Sequence, residues 1–231
     1  MKLLVIIPAY NEAANIVNVV EELGRVVPQY DYVIVNDGSS DATSKICYEH
    51  GYRILDLPVN LGLTGAFQTG MRFAAEQGYD AAVQIDGDAQ HDPEYIPAMA
   101  GQMEMDDADM VIGSRFVSEK RPLTLRFFGN ALLNAAIRFT TGKKITDSTS
   151  GMRMYGKRLL CPMAYDLNST PEPDTLAYLL LCGAKIEECQ VTMRERTAGE
   201  SYLNAWRSFL YMVHMSLSIC LIQRLRKRRT L

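Results

Sequence analysis

Nowhere in the 231 residues is there an apolar run of the ~20 residues that would span a bilayer. The longest candidate, Phe209 to Ile222, is interrupted by His214, Ser216 and Ser218. Disulfide chemistry is equally absent from the pattern. The five cysteines (Cys47, Cys161, Cys182, Cys189, Cys220) are odd in number and form neither a C-x-x-C pair nor a zinc-ligand spacing, so a reducing compartment is expected. The opening Met1-Lys2-Leu3-Leu4-Val5-Ile6-Ile7-Pro8 is too short for the core of an export signal and stops at a proline, so it reads as a first strand. Internal repeats, low-complexity tracts and linkers are also missing. With 48% hydrophobic and 22% charged residues, disorder and fibrous architecture are excluded, and the length suits one core. The net charge is only −3, which hides a basic end at Arg224, Arg226, Lys227, Arg228 and Arg229.

What is present is an alternation. Strand-length apolar runs at Leu3 to Ile7, Tyr32 to Val35, Arg53 to Leu55, Ala81 to Ile85 and Met110 to Ile112 alternate with helical spacing. The helices are expected to open at Asn11 or Glu12, after Asp41, at Asn60 to Ala66, and over Pro93 to Met103 and Leu123 to Thr140. This is the rhythm of an α/β fold with a mostly parallel central sheet covered on both faces. The second half, with its polar loop Thr146 to Gly151, is expected to complete an acceptor site over the first.

In such sheets ligands collect beyond the carboxyl ends of the strands. Polar clusters sit at three of those ends: Tyr10-Asn11-Glu12, Asn36-Asp37-Gly38 and Asp86-Gly87-Asp88-Ala89-Gln90. Any one of them could be ordinary loop polarity; three in one crevice predict a site. In the third, two carboxylates one residue apart on a tight turn can hold a hard divalent cation, Mg²⁺ or Mn²⁺, with Gln90 as a third donor and phosphate oxygens completing the shell. His91 is left as a neighbour. Gly65 to Gly70 has the glycine spacing of a P-loop, but Met71-Arg72 stands where Lys-Ser/Thr is needed, and no G-x-G-x-x-G follows the first strand. A phosphohydrolase based on Asp86 and Asp88 usually has such a pair after the first strand, whereas here it follows the fourth; that reading is kept as a minor alternative.

The run Val5-Ile6-Ile7-Pro8-Ala9-Tyr10-Asn11-Glu12 is followed by Val35-Asn36-Asp37-Gly38-Ser39-Ser40-Asp41 and Asn60-Leu61-Gly62. Asp86-Gly87-Asp88-Ala89-Gln90-His91-Asp92-Pro93 and Gly113-Ser114-Arg115 come next. Together they resemble the family 2 glycosyltransferases. Asp147-Ser148-Thr149-Ser150-Gly151-Met152-Arg153 and Arg196-Thr197-Ala198-Gly199-Glu200-Ser201 are similar to the dolichyl-phosphate mannose synthase-like branch. The resemblance implies a Rossmann-like GT-A domain, here residues 1–203, that moves a sugar from a nucleotide sugar to a polyprenyl phosphate with inversion. It implies a donor pocket from Pro8, Tyr10, Glu12, Asp37 and Asp86, and a metal held by Asp86, Asp88 and Gln90. Arg115, Arg126, Ser150 and Arg196 would face the acceptor phosphate and donor diphosphate, and Asp88, Arg115 and Arg196 would stand nearest the chemistry. Where the branch commonly has Lys after Gly-x-Ser, this chain has Tyr202. That departure tilts the expected donor toward UDP-glucose or UDP-N-acetylglucosamine and away from GDP-mannose. Addition to a growing glycan, and a non-catalytic nucleotide-sugar-binding subunit, are the alternatives.

From Trp206 to Ile222 the spacing is helical, with Arg207, Tyr211, His214 and Ser218 on one stripe and Phe209, Met212, Ile219 and Cys220 roughly opposite. Residues 204–231 are therefore expected to form an amphipathic helix and basic tail at a membrane interface, or against a small membrane-protein partner. The competing expectation is a helix packed on the catalytic core. A peripheral enzyme on the cytoplasmic face of a membrane is the resulting expectation, with no nucleic acid partner.

Overall fold

The structure is a computed structural model that describes residues 1–118, 125–166, 169–194 and 205–228. The first strand, β1 (Leu3–Ala9), is apolar at almost every position because both of its faces are covered, as parallel strands require. Leu4 and Ile6 enter one core while Leu3, Val5 and Ile7 enter the other. Around it lie β2 (Asp31–Asn36), β3 (Ile54–Asp56), β4 (Ala81–Gln84), β5 (Met110–Ser114), β6 (Arg153–Gly156) and β7 (Ile186–Gln190). They form one seven-stranded sheet in the order β3-β2-β1-β4-β6-β5-β7.

All neighbouring pairs are parallel except those of β6, which runs antiparallel to β4 (Gln84 opposite Arg153) and to β5 (Ile112 opposite Arg153). The α/β expectation holds, and β6 and β7 are the two strands the sequence pattern missed. The four residues of β6, Arg-Met-Tyr-Gly, carry no readable alternation, and a buried arginine at their head argues against a strand.

One face of the sheet is covered by α1 (Ile16–Val26), α2 (Thr43–Glu49) and α4 (Ile96–Met105), the last preceded by a 3₁₀ turn at Pro93–Tyr95. The other is covered by α3 (Gly62–Glu76), α5 (Leu125–Thr141), α6 (Lys157–Tyr165) and α7 (Pro173–Leu181). The helix expected at Asn11 opens at Ile16. Asn11 adopts a left-handed backbone (φ 57°), and its side chain serves the loop instead of a helical turn.

The C-terminal helix joins this second layer. It runs as α8 (Ala205–Leu217), a π-helical turn (Ser218–Ile222) and α9 (Gln223–Leu225). Ile219 is fully buried in the core, with Met212, Met215 and Cys220 packed beside it. The expected polar stripe is split by this packing. The Ser218 hydroxyl turns inward to Asp174 (2.7 Å) and Tyr211 donates to Glu172, whereas His214 stays exposed. Arg226 closes the end, pairing with Asp166 (3.0 Å) and stacking on the Tyr178 ring.

Candidate active site

Two loops leaving neighbouring parallel strands are zipped together at one end of the sheet. The Asn11 backbone N–H donates to Ser39 Oγ (2.9 Å), and Asn11 Oδ1 accepts from the Ser40 N–H (2.9 Å). The Glu12 N–H donates to Thr43 Oγ1 (2.9 Å), and the Glu12 carboxylate accepts from the Asn15 amide (2.7 Å). Asp37, buried at the end of β2, accepts the Leu61 N–H (2.7 Å) and so fixes the entrance to α3. Gly38 is needed here, with φ 64° and a Cβ position only 2.6 Å from the Asn60 nitrogen. Tyr10 is exposed on the rim and Pro8 is half-buried beneath it.

The acidic turn follows β4 and presses against this rim. A side chain at Gly87 would lie 3.1 Å from the Pro8 carbonyl oxygen and 3.4 Å from Glu12 Cγ. Ala89 takes a left-handed conformation (φ 64°), which lets the Gln90 N–H fold back onto Asp88 Oδ1 (3.1 Å). Asp88 is 4% exposed, whereas the Asp86 side chain is partly open. The His91 ring, left as a neighbour on sequence grounds, is buried and accepts the Asp86 backbone N–H at Nδ1 (2.9 Å). Its acceptor role fixes the Nε2–H tautomer. The Gln90 carbonyl in turn accepts the Arg194 N–H (3.0 Å), and the Arg194 guanidinium clamps Glu22 (2.8 Å) and Asp92 (2.6 Å).

Two carboxylates on one tight turn, with an amide beside them, are the hard oxygen donors that Mg²⁺ or Mn²⁺ takes. No group of three or more His, Cys, Asp or Glu that could hold a metal occurs among the described residues. The turn's donor set fits an ion whose remaining positions are filled by ligand oxygens.

The third wall is the loop after α5. Gly151 lies against the turn, where a Cβ would meet Asp86 Oδ2 at 3.1 Å and His91 at 3.2 Å. Asp147, fully buried, holds the loop by accepting from Arg115 Nε (2.6 Å) and Nη2 (2.8 Å) and from the Asn130 amide (3.1 Å). Glu188 of β7 accepts the N–H groups of Thr146 (2.8 Å) and Asp147 (2.9 Å). Arg153, also buried, donates to the carbonyls of Ser148 (2.7 Å) and Ser150 (2.9 Å).

The structure thus brings Pro8, Glu12, Asp86, Asp88 and Gln90 together. Two expected residues are engaged with other protein groups. Ser150 does not present its hydroxyl to an acceptor, being 1% exposed and donating to the Gly113 carbonyl. Arg115 is first a strut on Asp147, and only its Nη1 makes no hydrogen bond to a described residue. Arg126 falls in the first turn of α5, where only the backbone is described, and Arg196 and Tyr202 lie outside the described residues. His91, Asp147, Arg153, Glu188 and Arg194 were not picked from sequence. Each acts through groups, backbone or side chain, that become neighbours only on folding.

Comparison with known proteins bears on this arrangement. Residues 4–161 match the model of Glycosyl transferase family 2. The undecaprenyl-phosphate mannosyltransferase of Micrococcus luteus is 31% identical over 218 residues, covering 88% of each chain. A UDP-N-acetylglucosamine–dolichyl-phosphate N-acetylglucosaminyltransferase of Methanococcus voltae is 34% identical over 186 residues, 71% of this chain and 73% of that one. In fold, the chain is similar to glucosyl-3-phosphoglycerate synthase of Mycobacterium tuberculosis, crystallised with Mn²⁺ and UDP-glucose. That likeness has a TM-score of 0.67 at 21% identity and covers 95% of this chain and 79% of that one. With the family model spanning more than half of the chain and its motifs converging on one crevice, the protein belongs to glycosyl transferase family 2 and is a glycosyltransferase of GT-A fold.

Proposed function

We propose that this glycosyltransferase moves a hexose from a nucleotide sugar to a polyprenyl phosphate, with inversion and with the help of Mg²⁺ or Mn²⁺. The observation that carries the reading is the Asp86-Gly87-Asp88 turn wedged between the Pro8–Glu12 loop and Gly151. The lipid acceptor is supported by the named activities of the Micrococcus and Methanococcus relatives.

Asp37, Tyr10, Pro8 and Glu12 line the end of the crevice nearest β2 and take the nucleoside. Asp86, Asp88 and Gln90 would hold the cation, which when bound neutralises charge on the departing diphosphate. Asp88 is positioned by the Gln90 N–H, and Asp86 by the bond from its own backbone to His91. The acceptor phosphate is already anionic at neutral pH, so attack on the anomeric carbon needs alignment more than a strong base. Arg115 Nη1, Arg126 and Arg196 are proposed to align and screen the phosphates.

UDP-glucose or UDP-N-acetylglucosamine is the proposed donor, on the strength of Tyr202 and the Methanococcus relative's named substrate. The enzyme is proposed to work as a peripheral protein at a cytoplasmic membrane face, where its five unpaired thiols remain reduced. A small membrane protein is a further proposed partner. No helix among the described residues is long and apolar enough to cross a membrane.

Incubation with Mn²⁺, undecaprenyl or dolichyl phosphate and a panel of radiolabelled nucleotide sugars tests the reading. One UDP-hexose should yield a lipid-extractable product, and Asp88→Asn should lower turnover by at least ~10²-fold. Labelling of no polyprenyl phosphate by any donor, or full turnover by Asp88→Asn, rejects it.

A further inference from the structure

α5 and the C-terminal helix lie side by side. Gly129 sits against Met212, whose Cε is 2.9 Å from the glycine's Cβ position, and Thr140 Oγ1 is 4.0 Å from Cys220 Sγ. On the outer surface of this pair, large apolar side chains stand in solvent. Leu132 and Phe139, seven residues apart on α5, are 46% and 77% exposed. Leu210, Leu217 and Leu221, spaced by seven and four, form an exposed stripe on the neighbouring helix, and Leu225 is 85% exposed beyond them. The sequence pattern pointed to the Met212 and Ile219 side as the face for a membrane. In the structure that side is spent on the core, and the leucine stripe is what remains outward.

Along these two helices the charge has one sign. Residues 125–146 and 205–228 contain no aspartate or glutamate, in a chain with 27 of them. Arg138, Lys143, Lys144, Arg224, Lys227 and Arg228 are all exposed there. Among the described residues, the carboxylates of Glu172, Asp174 and Asp166 are engaged by the C-terminal helix. Glu172 accepts from Tyr211, Asp174 from Ser218 and Gln223, and Asp166 from Arg226. Exposed apolar groups rimmed by polar ones mark an interaction surface, and a purely basic rim selects an anionic partner. A second copy would set like charge against like.

We propose that α5 and the C-terminal helix together form a docking face for an anionic lipid bilayer, with Phe139 and the leucine stripe entering the headgroup boundary and the basic side chains resting on the phosphates. The proposal takes its purpose from the lipid-acceptor reading, but binding is measured without turnover.

The test is sedimentation of the full chain with phosphatidylglycerol or phosphatidylcholine vesicles at low and high salt. Binding should favour phosphatidylglycerol and weaken with salt. Phe139→Ser combined with Leu221→Ser should lower partitioning by about tenfold, and Lys143→Glu combined with Lys227→Glu by a similar factor. Both variants should keep the wild-type melting temperature and the wild-type rate with a short, water-soluble polyprenyl phosphate. Unchanged partitioning of both variants, equal binding to the two lipids, or a dimer mass in light scattering that Phe139→Ser abolishes would overturn the proposal. Vesicle binding that behaves as described in a protein that glycosylates no polyprenyl phosphate would leave the docking face standing and reject the acceptor.

Discussion

Asp147 shows how much of the site rests on single buried charges. Its carboxylate is fully enclosed and receives two guanidinium bonds from Arg115 besides those from Asn130 and Thr149. Replacing it leaves a cation facing a void, so Asp147→Ala should lower stability by about 3–5 kcal/mol, measured by urea unfolding. A contrast is expected among the thiols. Burial pushes the Cys47 thiol up to about 11, with Asp56 adding to the effect, whereas Cys161 is exposed. At pH 8 iodoacetamide should label Cys161 and leave Cys47 unmodified in native protein, as peptide mass mapping would show. At this scale the two aspartates of the acidic turn were legible in the sequence because their chemistry is local. The role of Asp147 was not, because its partner Arg115 stands 32 positions earlier, just beyond the end of β5.

Among the elements, the loops that form the crevice are shaped by glycines at close approaches. At Gly38 a methyl group would collide with the Val59–Asn60 backbone while forcing an alanine into φ 64°, so Gly38→Ala should cost about 3 kcal/mol and detach the start of α3. Gly151 has ordinary backbone geometry but stands over Asp86 and His91. Gly151→Ala should therefore weaken Mn²⁺ binding by roughly tenfold in calorimetry while the melting temperature moves little. Strands β1, β2 and β4 were readable because burial on both faces demands continuous apolar residues. The start of α1 was misplaced because Asn11 looks like a helix cap yet spends its side-chain oxygen on Ser40 and Asp41. β6 was invisible because its position depends on β4 and β5, and nothing in its own four residues announces it.

For the molecule as a whole, the fold stands on two hydrophobic layers. Chelation with EDTA should leave the melting temperature unchanged, while Mn²⁺ with UDP at a hundred times its dissociation constant should add about 2.7 kcal/mol of stability, read as a higher melting temperature. The same architecture sets an order of events during synthesis. β5 hydrogen-bonds only to β6 and β7, both made after it, and β4 lacks one neighbour until Arg153–Gly156 has emerged. A nascent chain that has reached only Ser114 thus holds the nucleotide-side strands with an unfilled slot beside β4 and an orphaned fifth strand. Such an open edge is a template for aggregation, and the late arrival of a four-residue wedge is what retires it.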